Sequence, residues 1–293
     1  MNIFSSFHPA VSAVYFASVL IITMFSANPF LAAFSLLGAA LFYVKSEKKS
    51  RRLKEFGFYA LIFLVIALSN PLFSHKGKTV LFFINSNPVT LESLFYGINA
   101  AIMLVAVILW FSCLNRVLTE DKILFLFGRF SPKTALLISN ALRFIPLLKI
   151  QGEKIRTAQK AMGLYSSDSI TDRLKGLLRT FSALITWSLE NAIDTAASMK
   201  SRGYGLKNRS RYSQFAFKKR DAGLLCIIAA LDFVATVAIF SQQLDFRFYP
   251  TVTYSHINII NIAAISAFAL MSLLPFIIEV KEGLKWKYYI SKI

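Results

Sequence analysis

Six stretches of this chain run almost free of charge, at about residues 10–26, 29–44, 56–70, 91–114, 222–240 and 257–278. Each approaches the roughly 17–25 residues that an α-helix needs to cross a bilayer. The second and third are short, which predicts tilting, re-entry or shielding by neighbouring helices. Asn28-Pro29 and Asn70-Pro71 punctuate the ends of the first and third runs as turn dipeptides. Between the fourth and fifth runs lies a long segment too polar for hydrocarbon, yet patterned throughout at helical spacing.

Ser131-Pro132 is a helix-start signal, an N-cap residue followed by proline at the first helical position. The predicted helix carries Leu136, Leu137, Ala141, Leu142, Phe144, Ile145 and Leu148, with Pro146 expected to bend it. Its broad apolar face suits packing beneath the spans or lying at the interface. A second helix is predicted over 151–162, where Ile155, Ala158 and Ala161/Met162 form a narrow stripe opposite Glu153, Lys154, Arg156 and Lys160. Gly163 falls where a left-handed C-terminal cap belongs. Ser169 and Asp172 have capping-box spacing and open the longest polar helix. Its stripe runs through Ile170, Leu174, Leu177, Phe181, Ile185, Ile193 and Met199 and stops at Gly203. At ~1.5 Å per residue that run is about 50 Å long, enough to carry a displacement from one end to the other.

Together these elements predict an all-α polytopic membrane protein with about six transmembrane helices. A domain of amphipathic helices would be inserted between spans four and five, with boundaries at 1–118, 119–220 and 221–293. A hydrophobic content of 56% and a mean hydropathy of +0.56 agree, since soluble domains hold nearer ~45–50% apolar residues. The net charge of +18 would by itself suggest nucleic acid, but the basic residues avoid the apolar runs and sort between the connections. Lys45, Lys48, Lys49, Arg51, Arg52 and Lys54 follow the second run, and Lys281, Lys285, Lys287 and Lys292 follow the last. Twenty more lie between Arg116 and Arg220, whereas the connections after the third and fifth runs hold only Lys76, Lys78 and Arg247. By the positive-inside rule both termini and the middle segment are cytoplasmic, and the bilayer is the partner of the apolar runs. Cys113 and Cys226 sit far apart in apolar surroundings, which favours two small buried hydrophobes over a disulfide or a metal cluster. The first apolar run lacks a basic lead-in and passes straight into a second, so no cleavable signal peptide is expected.

The two polar helices end alike. Aligning Gly163 with Gly203 places Lys160 on Lys200, Ala161 on Ser201 and Met162 on Arg202. A small residue lets another surface approach closely, and glycine ends the helix without a Cβ penalty. The carbonyls at that end are open to a partner, and Arg202 can reach an acidic group. The plain alternative is an ordinary C-cap with a cation near the negative helix end.

With these ends in place, the chain resembles the transmembrane (T) component of energy-coupling factor transporters, of the cobalt/cobalamin-type permease family. That family carries two Ala-Arg-Gly signatures at the ends of two cytoplasmic coupling helices. Here they match Ala161-Met162-Gly163, preceded by Ala158-Gln159, and Ser201-Arg202-Gly203, preceded by Ala196-Ala197-Ser198-Met199 and followed by Tyr204-Gly205. The resemblance covers most of the chain and implies a scaffold in a bacterial cell membrane, serving vitamin or metal-ion uptake. Each signature end would dock on one of two ABC-type ATPase subunits, and ATP-driven closure would reorient a substrate-binding membrane subunit, the S component. By the same resemblance Arg202 anchors to an acidic residue, and Ala161, Gly163 and Gly203 pack closely. Met162 departs from the signature arginine and Ser201 from its alanine. The first departure implies unequal ATPase contacts or compensation by Lys160 or Arg156.

Other chemistry is thin. No Gly-x-x-x-x-Gly-Lys-Ser/Thr and no His-Glu-x-x-His occurs, so ATP is expected to be used by partner subunits, with no cofactor held directly. His8, His75 and His256 fall at span ends, as interfacial residues do. Of the acidic residues nearest apolar runs, Glu92, Glu190, Asp194, Asp232 and Glu279, only Asp232 falls near mid-span. An intramembrane carboxylate is either functional or a structural hydrogen-bonding and subunit-contact group. A secondary transporter coupling protons or cations through Asp232 would need inverted repeats. A polytopic membrane enzyme would need clustered catalytic groups. Neither pattern is present, and the expectation is a non-catalytic transporter subunit.

Overall fold

The computed structural model describes residues 3–47, 49–74, 77–84, 87–164, 169–206, 215–241, 244, 246–251, 253–254 and 259–291. Lys48, His75, Lys76, His256 and Lys292 lie outside the described residues. A short 3₁₀ turn, Ile3–Ser6, precedes α1 (Pro9–Phe25), α2 (Pro29–Ser46) and α3 (Lys49–Phe73). A hairpin of β1 (Val80–Ile84) and β2 (Asn87–Thr90) leads into α4 (Leu91–Val117) and α5 (Glu120–Phe130). The polar helices are α6 (Pro132–Ala161) and α7 (Ile170–Ser201). After them come α8 (Lys219–Phe240), the two-residue strands β3 (Phe246–Arg247) and β4 (Thr253–Tyr254), and α9 (Ile259–Ile290). The all-α polytopic class is therefore what the chain adopts, with two small antiparallel hairpins that alternation too short to detect had hidden.

Among the described residues five helices are long and apolar enough to cross a membrane: α2, α3 from Lys54, α4, α8 and α9. α1 is apolar but has 17 residues, about 26 Å at ~1.5 Å per residue against a hydrocarbon core of ~30 Å. The short runs expected at positions two and three lengthen in the structure, because helix continues past the apolar residues into flanking charged ones. Asn70-Pro71 does not end its helix: Pro71 lies inside α3, and the Ser74 amide closes the last turn on the Asn70 carbonyl at 2.8 Å. A proline so near the C-terminus removes one intrahelical bond and leaves the preceding turns intact.

Contacts divide the chain into two compact units, residues 1–123 with 215–293, and residues 124–214. In the first, α2, α4 and α9 pack as the central layer, joined by α1, α3 and α8. Small residues let the backbones meet. A Cβ on Gly38 of α2 would come within 2.6 Å of the Ser272 carbonyl oxygen of α9, and one on Gly97 of α4 within 2.6 Å of the Ala67 carbonyl oxygen of α3. Phe4, Tyr15, Phe16, Phe42 and Trp110 are fully buried around mutual edge-to-face contacts. Three hydrogen bonds cross this interior: the Trp110 indole donates to Ser35 Oγ at 3.0 Å, Ser35 meets Thr23 Oγ1 at 2.8 Å, and Tyr15 donates to the Met271 carbonyl at 3.1 Å. Cys113 is buried as expected, but Cys226 is exposed on α8; its run is apolar because it faces outward from this unit, not because it is enclosed.

The second unit holds α6 and α7. The two helices expected over 131–148 and 151–162 are one helix of 30 residues that passes through Pro146. Gly152 of α6 sits against Leu184 of α7, and Thr180 Oγ1 donates to Gln159 Oε1 at 3.1 Å, so the pair crosses antiparallel. The capping box at Ser169 is not formed: no side-chain cap bond is made, and its hydroxyl meets Thr171 Oγ1 at 2.7 Å. Ser131 likewise caps α6 by position, with Pro132 at the first helical turn, and without a side-chain bond.

Candidate functional site

α6 and α7 end in the same backbone device. At the first end the Gly163 amide donates to the Lys160 carbonyl at 3.0 Å and the Leu164 amide to the Gln159 carbonyl at 3.1 Å. At the second the Gly203 amide donates to the Lys200 carbonyl at 3.0 Å and the Tyr204 amide to the Met199 carbonyl at 3.0 Å. These are paired Schellman motifs, and they require a residue at positive φ. Gly163 has φ +77° and Gly203 φ +81°, while Met162 and Arg202 both sit at φ −82°. The glycine caps expected from the sequence are therefore present, and superposable residue for residue over 159–164 and 199–204.

Both ends are open. Ala161, Met162, Ser201 and Arg202 are all exposed, Met162 at 68%. Arg202 finds no carboxylate within the described residues, and the Ser201 hydroxyl turns back to the Ser198 carbonyl at 2.8 Å. The two ends are not brought together. Gln159, beside the first end, lies against Thr180; from Thr180 to Gly203 α7 rises about 35 Å at ~1.5 Å per residue. A single small docking surface cannot hold both.

Along its length α7 presents an apolar stripe that is exposed among the described residues of its own unit. Leu174, Leu177, Leu178, Phe181, Ile185, Leu189 and Ile193 are all exposed large hydrophobics, a patch of the kind that marks an interaction surface or a membrane contact.

The other candidates are scattered. Asp232 is half-buried on α8, where its backbone carbonyl also accepts from Thr236 Oγ1 at 2.8 Å. Glu190 and Asp194 are exposed on α7, and Glu279 is buried on α9. Glu92 is buried and accepts from the Lys78 and Thr79 amides at 3.3 and 3.2 Å, which pins the loop before β1. His8 caps α1 by accepting the Ala10 amide at 3.2 Å and packs on Phe217. Among the described residues no three His, Cys, Asp or Glu side chains converge as a metal site. A cavity of about 310 Å³ is lined by Phe30, Phe95, Phe246 and Phe248, with Asn99 as the one polar residue among the described residues that line it. The Asn99 Nδ2 donates to the Ala27 carbonyl at 3.0 Å.

Sequence reasoning missed two buried charges, Asp221, which accepts the Lys218 amide at 2.9 Å at the start of α8, and Lys122. Lys122 of α5 is 5% exposed, and its Nζ donates to the Val117 carbonyl at 2.7 Å and the Ser5 carbonyl at 2.6 Å. It closes the C-terminus of α4 and ties the N-terminal turn to it. Burial lowers its pKa from the ordinary lysine value. One basic residue amid twenty in the segment carried no signal that would single it out.

A family described as cobalt transport protein (CbiQ) matches residues 2–212. Curated relatives include the energy-coupling factor transporter transmembrane protein of Exiguobacterium sibiricum, 36% identical over 99 residues, 33% of this chain and 38% of the relative. The protein of the same name from Listeria innocua is 38% identical over 99 residues, 33% of this chain and 37% of the relative. That from Thermosediminibacter oceani is 27% identical over 223 residues, 72% of this chain and 82% of the relative. In the first two alignments the chain thus spans less than two-fifths of the relative's length.

Proposed function

The chain belongs to the cobalt transport protein (CbiQ) family, and on that premise we propose that it is the T component of an energy-coupling factor importer. In this reading it is a non-catalytic membrane scaffold, and two ABC-type ATPase subunits supply the energy. The observation that carries the proposal is the pair of exposed, matching Schellman ends at Gly163 and Gly203, set about 35 Å apart along α7. Matched geometry suits two related partners, and the separation requires that each end have its own.

Arg202 supplies the stronger contact. Its exposed guanidinium projects from the last turn of α7, where a bidentate pair with a partner carboxylate would form. Ser201 and Gly203 keep that approach close, as Ala161 and Gly163 do at the first end. Met162 offers a thioether in place of a guanidinium, so the first contact is apolar or borrows Lys160 or Arg156. Closure of the ATPase pair would move the two ends, and the rigid length of α7 would pass that motion to a substrate-binding membrane subunit seated on its apolar stripe. Among the described residues no charged group lines the 310 Å³ cavity, in keeping with substrate recognition by that other subunit, for a vitamin or metal ion. Both termini and the α6–α7 unit are cytoplasmic in this reading, in a bacterial cell membrane, and Asp232 is a contact with a neighbouring subunit.

The test is co-purification. The wild-type chain is expected to bring down two ATPase subunits and an S component. Arg202→Glu replaces attraction with repulsion at a desolvated contact, which costs about 2–5 kcal/mol, or roughly 30-fold or more in retention. Full recovery of the ATPases and normal uptake with Arg202→Glu would remove the docking role.

A further inference from the structure

The first strand of the hairpin between α3 and α4 is apolar on both sides. Val80, Leu81, Phe82 and Phe83 are 46, 51, 53 and 69% exposed, and successive strand residues point to opposite faces. No charged residue occurs between Lys78 and Glu92. β1 is paired on one edge only, to β2, in a two-stranded sheet. The hairpin is nevertheless firmly rooted: the Leu91 amide donates to the Thr79 carbonyl at 3.0 Å, Glu92 accepts the Lys78 and Thr79 amides, and β2 passes into α4 without an intervening residue.

We propose that the β1–β2 hairpin is an interfacial lipid anchor, inserted at the headgroup–acyl boundary beside the spans it connects. Two observations choose lipid over a protein partner. A docking surface covers one face of a two-stranded ribbon, whereas β1 exposes apolar side chains on both of its faces and burial is confined to the root of β2, at Val89 and Thr90; a surrounding apolar medium suits that arrangement. The hairpin is continuous with membrane-crossing segments at both roots, α3 ending at Phe73 and α4 beginning at Leu91. The free edge of β1 then sets the depth. Unpaired backbone groups are costly in hydrocarbon, so that edge must meet water or headgroups while the side chains reach the upper acyl region. The anchor would hold the height of α3, a helix whose span is only 11% buried. This inference stands independently of the ATPase-docking reading.

The experiment uses the full chain in liposomes. The exposed native thiol is first removed (Cys226→Ser), leaving buried Cys113. An environment-sensitive fluorophore is then placed at Phe82→Cys or Phe83→Cys, one on each face, with Lys200→Cys as an aqueous reference. Both hairpin labels are expected to be quenched at least twofold by lipid nitroxides, more by a shallow than a deep one, and to resist aqueous iodide relative to the reference. Iodide quenching equal to the reference overturns the proposal. So does protection of one face from both quenchers, which would mean a protein partner, or stronger quenching by the deep nitroxide. Phe83→Trp, which keeps an aromatic side chain, offers a check free of labels: brominated lipids should quench its added emission.

Discussion

Met162 and Arg202 occupy the same backbone position, with the same φ, at the ends of two helices that terminate through the same pair of hydrogen bonds. The difference between them is therefore chemical and not conformational. That makes the first end testable by a substitution that should not disturb the fold, because Met162 is exposed and its Cβ already stands at a helical φ. Met162→Arg is expected to strengthen ATPase retention about 10-fold or more, the value of one added charged hydrogen bond. Retention measured in pull-downs at fixed salt checks it, and loss of assembly would mean that the end docks by its apolar side. Much at this scale was legible in the sequence, since a glycine after a basic helical turn leaves few options but a left-handed cap. What a side chain there touches was not legible, because the contacting group belongs to another chain.

Elements were legible where periodicity was long and where no tertiary contact competed. α7 appears with nearly its expected limits, since its stripe repeats over many turns. The expected break between 148 and 151 did not occur, because a single proline costs one bond in a helix of 30 residues that is otherwise continuous. The hairpins were missed for the opposite reason: five and two residues are too few for alternation to register. Lys122 was also beyond reach, since its role depends on bringing α5, the end of α4 and residue 5 together. Its chemistry yields a pH prediction. The folded pKa is lowered, so the folded state binds fewer protons than the unfolded chain between that value and the ordinary 10.5. Stability from this group is thus lost as pH falls through the folded pKa, and gained as pH rises toward 10.5. Thermal midpoints of wild type and Lys122→Met, compared over an alkaline series in one detergent, should diverge in favour of wild type as pH rises. Parallel curves would show that the ammonium carries no such penalty.

For the whole molecule the open quantity is the number of crossings, because α1 is 17 residues long. Its contacts bear on this more directly than its length. At its start, the Ser5 carbonyl meets Lys122 next to the end of α4, and Ser6 Oγ accepts from Arg220 at the start of α8 at 3.1 Å. Past its other end, Asn28 Nδ2 donates to the Leu244 carbonyl beyond α8 at 3.2 Å, and the Ala27 carbonyl accepts from Asn99, about two turns into α4. α1 therefore runs the same distance between levels as α8, which is of spanning length, and alongside residues 99–117 of α4. A helix a few ångströms short can do so when neighbours shield it and the bilayer thins locally. Six crossings put both termini on the side of the basic segment, as the charge distribution requires, whereas five would separate them. In cells carrying the Cys226→Ser chain, a membrane-impermeant maleimide should label Lys78→Cys from outside. Lys200→Cys, Ser291→Cys and a cysteine appended at the N-terminus should label only after permeabilisation. Labelling of the N-terminal cysteine in intact cells, with Ser291→Cys protected, would mean that α1 does not cross and that the charge pattern orients five spans instead of six.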